Sequence, residues 1–151
     1  MRAQEHFHSL AQRGVAHTGL VQECASLLVA LATGDHAALR QHLADLLALA
    51  QKGSKPDDWF TAAWLAVLSH EKEAERPKFL NLSRKAGAAD EKNWSYRAIL
   101  GASLYRSGDY AEAVSELMKA TELEKANAES EEKDVGRYFT HAFLAMASRR
   151  S

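Results

Sequence analysis

The stretch Gly101-Ala102-Ser103-Leu104-Tyr105-Arg106-Ser107-Gly108-Asp109-Tyr110-Ala111-Glu112-Ala113-Val114-Ser115-Glu116-Leu117-Met118-Lys119-Ala120 writes one complete helical hairpin, with both helices and the turn between them marked. Gly101 sits among Leu100 and Leu104, a small residue at which a neighbouring backbone can come close. Gly108 ends the first helix, because without a Cβ it enters the left-handed conformation that closes a helix C-terminus. Asp109 follows as the cap of a second helix, its carboxylate offered to free amides, and Glu112 three residues on completes the pattern of a capping box. Ala113, Val114, Leu117, Ala120 and Leu123 then recur at spacings of three and four, an apolar stripe that faces the first helix. Hairpins of this kind are built to stack.

Working outward, a second match lies at Leu27 to Leu46, where Gly34-Asp35-His36 stands as Gly108-Asp109-Tyr110 stands later. The separation, 108 − 34 = 74 residues, is close to two periods of about 34 residues with a short insertion. A middle hairpin is therefore expected. Asp57 or Asp58 caps a helix holding Trp59, Phe60, Ala63, Trp64, Val67 and Leu68, and Pro77 suits the first turn of its partner, which Gly87 ends. The join from His70 to Arg76 lacks the Gly-Asp corner, so this hairpin is irregular. From Glu124 to Asp134 the chain is polar and mostly acidic, a solvated connection. Tyr138 to Arg150 resumes a helical pattern with Phe139, Phe143, Leu144 and Met146. The expected plan is a single domain over 1–151: an amino-terminal helix in 1–18, a first repeat over 19–50, an irregular second over 57–87, a third over 93–125, and a terminal helix over 135–150.

Composition agrees with an all-α chain. Of 151 residues 46% are hydrophobic, with only two prolines; Ala and Leu dominate and β-branched residues are scarce, which favours helices. Nineteen basic against twenty acidic residues leave a net charge of −1, so no whole-chain field recruits nucleic acid or an anionic membrane. No apolar run reaches the length of a membrane span. Cys24 is the one cysteine, which rules out an internal disulfide and points to a cytoplasmic location.

The residues Leu100-Gly101, Leu104, Gly108-Asp109-Tyr110, Ala113, Leu117 and Ala120 resemble the tetratricopeptide repeat family. Lys125 stands where that family usually has proline, and Arg97 where it favours an aromatic residue. A narrower similarity, through Asn93-Trp94, Leu104-Tyr105-Arg106 and Phe143-Leu144-Ala145-Met146-Ala147, is to the carboxyl-terminal repeat region of planctomycete-type bacterial proteins with serine/threonine kinase or WD40 propeller domains. The chain itself has no Gly-rich phosphate loop, no His-Arg-Asp and no Asp-Phe-Gly, so no kinase activity is expected. The resemblance implies a short right-handed α-α superhelix of about three repeats plus a terminal helix, used for protein binding.

Candidate chemistry is sparse. His6 and His8 are two residues apart and His36 and His42 six, whereas four aligns two ligands on one helix, so neither metal nor cofactor is expected. Cys24 lies beside Ala25, Leu27 and Leu28, an apolar setting unsuited to a reactive thiol. Trp59, Trp64 and Trp94 stand at or near helix starts, where they read as packing between hairpins.

In the tetratricopeptide family the first helix of each repeat lines a concave groove. Carried onto this chain, the groove positions are Ser95, Ala98, Ala102, Tyr105 and Arg106, then Phe139, Ala142, Met146, Arg149 and Arg150. Tyr105, Arg106, Met146, Arg149 and Arg150 are the candidate peptide-binding residues, combining adaptable apolar area with donors for a carboxylate. The first repeat offers Val21, Cys24, Leu28 and Leu31 instead of the Lys and Asn of a chaperone-tail clamp, so that ligand is not expected. The expected function is non-catalytic binding of a protein or peptide, as adaptor or scaffold, with homodimer formation open to an exposed end face. The alternatives are a chaperone that sequesters a secreted or effector protein and, less favoured by spacing, an enzyme with a histidine-based metal site.

Overall fold

A computed structural model of the chain describes residues 18–69, 75–126 and 135–150. The expected helix in 1–18, His6, His8 and the acidic stretch 126–134 lie outside the described residues, apart from Thr18 and Ala126. All elements among the described residues are α-helices: α1 (Thr18–Thr33), α2 (His36–Lys52), α3 (Pro56–Ser69), α4 (Arg76–Ala89), α5 (Trp94–Ser107), α6 (Tyr110–Ala126) and α7 (Val135–Ser148). Among them, no helix is long and apolar enough to cross a membrane. The chain forms two compact units, one ending at Lys52 and the other beginning at Gly53.

The first unit contains the hairpin of α1 and α2, which pack together. Leu27 on α1 and Leu39, Leu43, Leu46 and Ala50 on α2 are buried at helical spacing. Gly34 takes φ +70°, and the turn closes as a Schellman motif, with the Asp35 amide donating to Ala30 O at 3.0 Å and the Gly34 amide to Leu31 O at 3.4 Å. Asp35 Oδ1 then accepts from the amides of Ala37 and Ala38, the cap that its position predicts.

In the second unit α3 pairs with α4 and α5 with α6, and α5 also packs against α3, α4 and α7. The alternate helices α3, α5 and α7 thus lie side by side with α4 and α6 behind them, an arrangement compatible with a helical-repeat superhelix. Ala63, Val67, Ile99, Leu100, Ala102, Leu104, Ala113, Leu117, Phe143 and Ala147 form its core. Enclosure by four helices explains why Tyr96 and every residue from Ala98 to Leu104 are buried. At Gly101 α6 comes close: a Cβ placed there would lie 2.5 Å from Leu117 Cγ.

The Gly108 corner repeats the Gly34 corner, with φ +90° and bonds from the Asp109 amide to Leu104 O at 3.0 Å and from the Gly108 amide to Tyr105 O at 3.1 Å. This corrects the capping-box expectation. The Asp109 amide is already used, so Glu112 turns to α4, where its two oxygens accept from Arg84 Nη1 and Nη2 at 2.9 and 3.1 Å.

Two further boundaries differ from expectation. The third helix starts one residue earlier, at Pro56, so Asp57 and Asp58 fall in its first turn, and Asp57 accepts from the Tyr96 hydroxyl at 2.5 Å. Burial, then that bond, raise the Tyr96 pKa. Gly87 does not end α4; it is buried within the helix, with Leu100 in contact range, and the helix stops at an extended Asp90.

Arg97 reaches across to α6. Its Nη1 donates to Glu116 Oε2 at 2.9 Å, and Lys119 Nζ donates to Oε1 at 2.7 Å. Burial works against the Glu116 charge, but these two cations outweigh it and hold the carboxyl below its ordinary range. A carboxylate with a depressed folded pKa adds stability above its unfolded pKa and loses it as pH falls through the folded value. Glu116→Gln is therefore expected to melt below the native chain at pH 7, with the gap closing as pH drops below about 4.3. Thermal melts across pH 2–7 check this, and a constant gap would contradict it.

Candidate functional site

The corner where α5 ends, α6 begins and α7 finishes collects aromatic rings and guanidinium groups. The Schellman turn at Gly108 brings Tyr105 and Tyr110 together, with ring centroids 5.5 Å apart. Phe143 on α7 meets the Tyr105 ring edge-on at 5.6 Å. Two cations lie over this cluster, Arg106 at 5.8 Å from the Phe143 centroid and Arg150 at 5.8 Å from that of Tyr110. Arg150 Nη1 also donates to the Tyr110 hydroxyl at 3.3 Å. Desolvation by burial, with the Arg76 charge second, lowers the Arg106 pKa.

Of the sequence-predicted residues, Tyr105, Arg106 and Arg150 are thus brought to one place. Met146 is 39% exposed on α7, and Arg149 is exposed in the turn after it without joining the ring contacts. Ala98 and Ala102, expected to line a groove, are buried at 4% and 0% exposure because α5 is enclosed. The Phe139 side chain lies outside the described ones. Tyr110 and Phe143 were not among the candidates: Tyr110 reads as a turn residue and Phe143 as core, yet the Gly108 turn sets Tyr110 beside Tyr105 and the packing of α7 on α5 sets Phe143 there.

Comparison of the chain with family models, curated proteins and solved structures returned no match.

Elsewhere in the second unit, polar chemistry is spent on holding helices together. Ser83 and Ser103, both buried, share a hydroxyl contact of 2.7 Å between α4 and α5. The Trp59 indole donates to Gly53 O at 3.2 Å and lies 5.7 Å from Lys85 Nζ, while Trp64 packs on the core. In the first unit, Cys24 is 3% exposed, and burial pushes its thiol up to about 11, away from thiolate chemistry.

The first unit also assembles three potential ligands that spacing did not suggest. His42 Nδ1 lies 2.8 Å from Glu23 Oε2, across 19 residues of chain, and Asp45 completes a set whose ligand atoms are all within 4.8 Å of one another. His42 and Asp45 share a face of α2 at i and i+3. Histidine spacing carries no sign of it, since the set holds a single histidine and Glu23 comes from α1.

Proposed function

We propose that this chain is a non-catalytic binding module of the tetratricopeptide type, which takes an acidic peptide segment at the corner of α5, α6 and α7. The observation that carries this reading is the cluster of Tyr105, Tyr110 and Phe143 flanked by Arg106 and Arg150, with Met146 exposed nearby. Aromatic faces supply apolar area at little cost in side-chain freedom, and guanidinium groups grip a carboxylate in a fixed fork. Such surfaces are where binding energy concentrates in protein interfaces. The enclosure of α5 restricts recognition to its carboxyl end, so the ligand touches the corner and the end of α7 rather than a long groove.

The test is selection from a displayed library of peptides with free carboxyl termini, using the native chain and Arg106→Glu/Arg150→Glu. The native chain is expected to enrich acidic sequences, and the double variant to bind them at least about tenfold more weakly, since a hydrogen bond to a charged group contributes about 1.5–3 kcal/mol. Enrichment that survives the double variant would move the site away from this corner. A preference for basic or uncharged peptides would sink the reading itself.

A further inference from the structure

We propose that Glu23, His42 and Asp45 form a binding site for a zinc-class divalent cation that ties α1 to α2. The three side chains come from both helices of the hairpin, offer one imidazole nitrogen and two carboxylates, and keep their ligand atoms within 4.8 Å of one another. A tetrahedral zinc with bonds of about 2.0–2.2 Å needs its ligand atoms about 3.3 Å apart. The observed Nδ1 to Oε2 distance of 2.8 Å must open slightly and the longest separation must shorten by at most about 1.5 Å, shifts within the reach of side-chain torsions. Mixed nitrogen and oxygen donors select zinc and its neighbours over magnesium and calcium, which favour oxygen alone.

Two features beyond the ligands support the assignment. Gln41 Nε2 donates to both oxygens of Asp45 at 3.1 Å, the kind of outer hydrogen bond that fixes a metal-binding carboxylate in place. A depression open to solvent, lined by Ala25, Ser26, Val29, Ala30 and Ala38, reaches His42. Of the three ligand residues only His42 lines it, so it leaves that imidazole open to an arriving ion. Without the cation, the imidazole N–H donates to Glu23 across the gap; with it, Nδ1 offers its lone pair to the metal and the ring proton rests on Nε2. The site would act as a staple for a hairpin whose two helices form a separate compact unit.

The experiment is calorimetric titration of the full chain, stripped of metal with chelator, with Zn²⁺ and in parallel with Mg²⁺. One equivalent of Zn²⁺ is expected to bind and to raise the melting temperature, because a ligand bound only by the folded state stabilises it; Mg²⁺ is expected to do neither. His42→Gln and Glu23→Gln, checked for helical content, should each weaken binding by roughly tenfold or more. His6→Gln/His8→Gln should leave it unchanged, which separates this site from the amino-terminal histidines. Should a variant fail to fold, ring-nitrogen resonances of the native chain decide: stoichiometric Zn²⁺ must shift those of His42. Absence of Zn²⁺ binding, binding that survives His42→Gln, or unmoved His42 resonances would overturn the proposal.

Discussion

Gly101→Leu is expected to be the most damaging single substitution in the second unit. A Cβ at this position would meet Leu117 Cγ at 2.5 Å, Leu117 Cδ2 at 2.9 Å and the Ala113 carbonyl oxygen at 3.2 Å. Leu117 is fully buried and cannot swing away, and the carbonyl belongs to the backbone of α6, so the helices themselves must separate. Overpacking of this kind costs about 1–3 kcal/mol. Even Gly101→Ala should be destabilising, although alanine favours a helix over glycine by up to about 1 kcal/mol. All three tryptophans, Trp59, Trp64 and Trp94, lie in this unit, so melting followed by their fluorescence reads it directly. Each kcal/mol should lower the midpoint by about 4–8 °C. A Leu variant that melts with the native chain would show that α5 and α6 do not approach at Gly101.

Gly108→Val comes second, for the opposite reason. Nothing lies within 4 Å of where a Cβ would be, so space is not the constraint; φ of +90° is. A β-branched side chain resists the left-handed region, and forcing it there should cost about 2 kcal/mol. If it is refused, the Schellman bonds to Leu104 and Tyr105 are lost and the corner that joins Tyr105 to Tyr110 opens. Asparagine separates the two mechanisms. It tolerates a left-handed backbone, so Gly108→Asn should cost less than about 1 kcal/mol, whereas Gly101→Asn should be as harmful as other large substitutions there. Equal losses from both asparagine variants would contradict the distinction between a conformational and a steric glycine.

The helices were legible in this chain because their ends are written in residues that act locally. Gly34 and Gly108 close turns through backbone bonds within six residues, and Asp35 caps through neighbours two and three positions on. Errors arose where a side chain had a distant competitor. Glu112 fits a capping box by spacing but finds Arg84, and Asp57 fits an N-cap but bonds Tyr96, 39 residues away. Gly87 reads as a terminator, yet it is kept inside α4 beside Leu100. The candidate site was only partly legible on the same grounds. Tyr105 and Arg106 could be named only through the groove positions that the tetratricopeptide resemblance implies, while the Gly108 turn added Tyr110 and the packing of α7 on α5 added Phe143. The set of Glu23, His42 and Asp45 needs two helices folded together before it exists at all.

The enclosure of α5 also bears on how this chain can drift over generations. On α6 the outward positions Ser115, Met118 and Glu122 are exposed, and most exchanges there would pass unnoticed. Along α5 almost any exchange disturbs one of four neighbouring helices. Among the described residues, the helix that contributes least to the surface is thus the one expected to tolerate the fewest exchanges, and descendants of this chain should be recognisable by it after their surfaces have diverged.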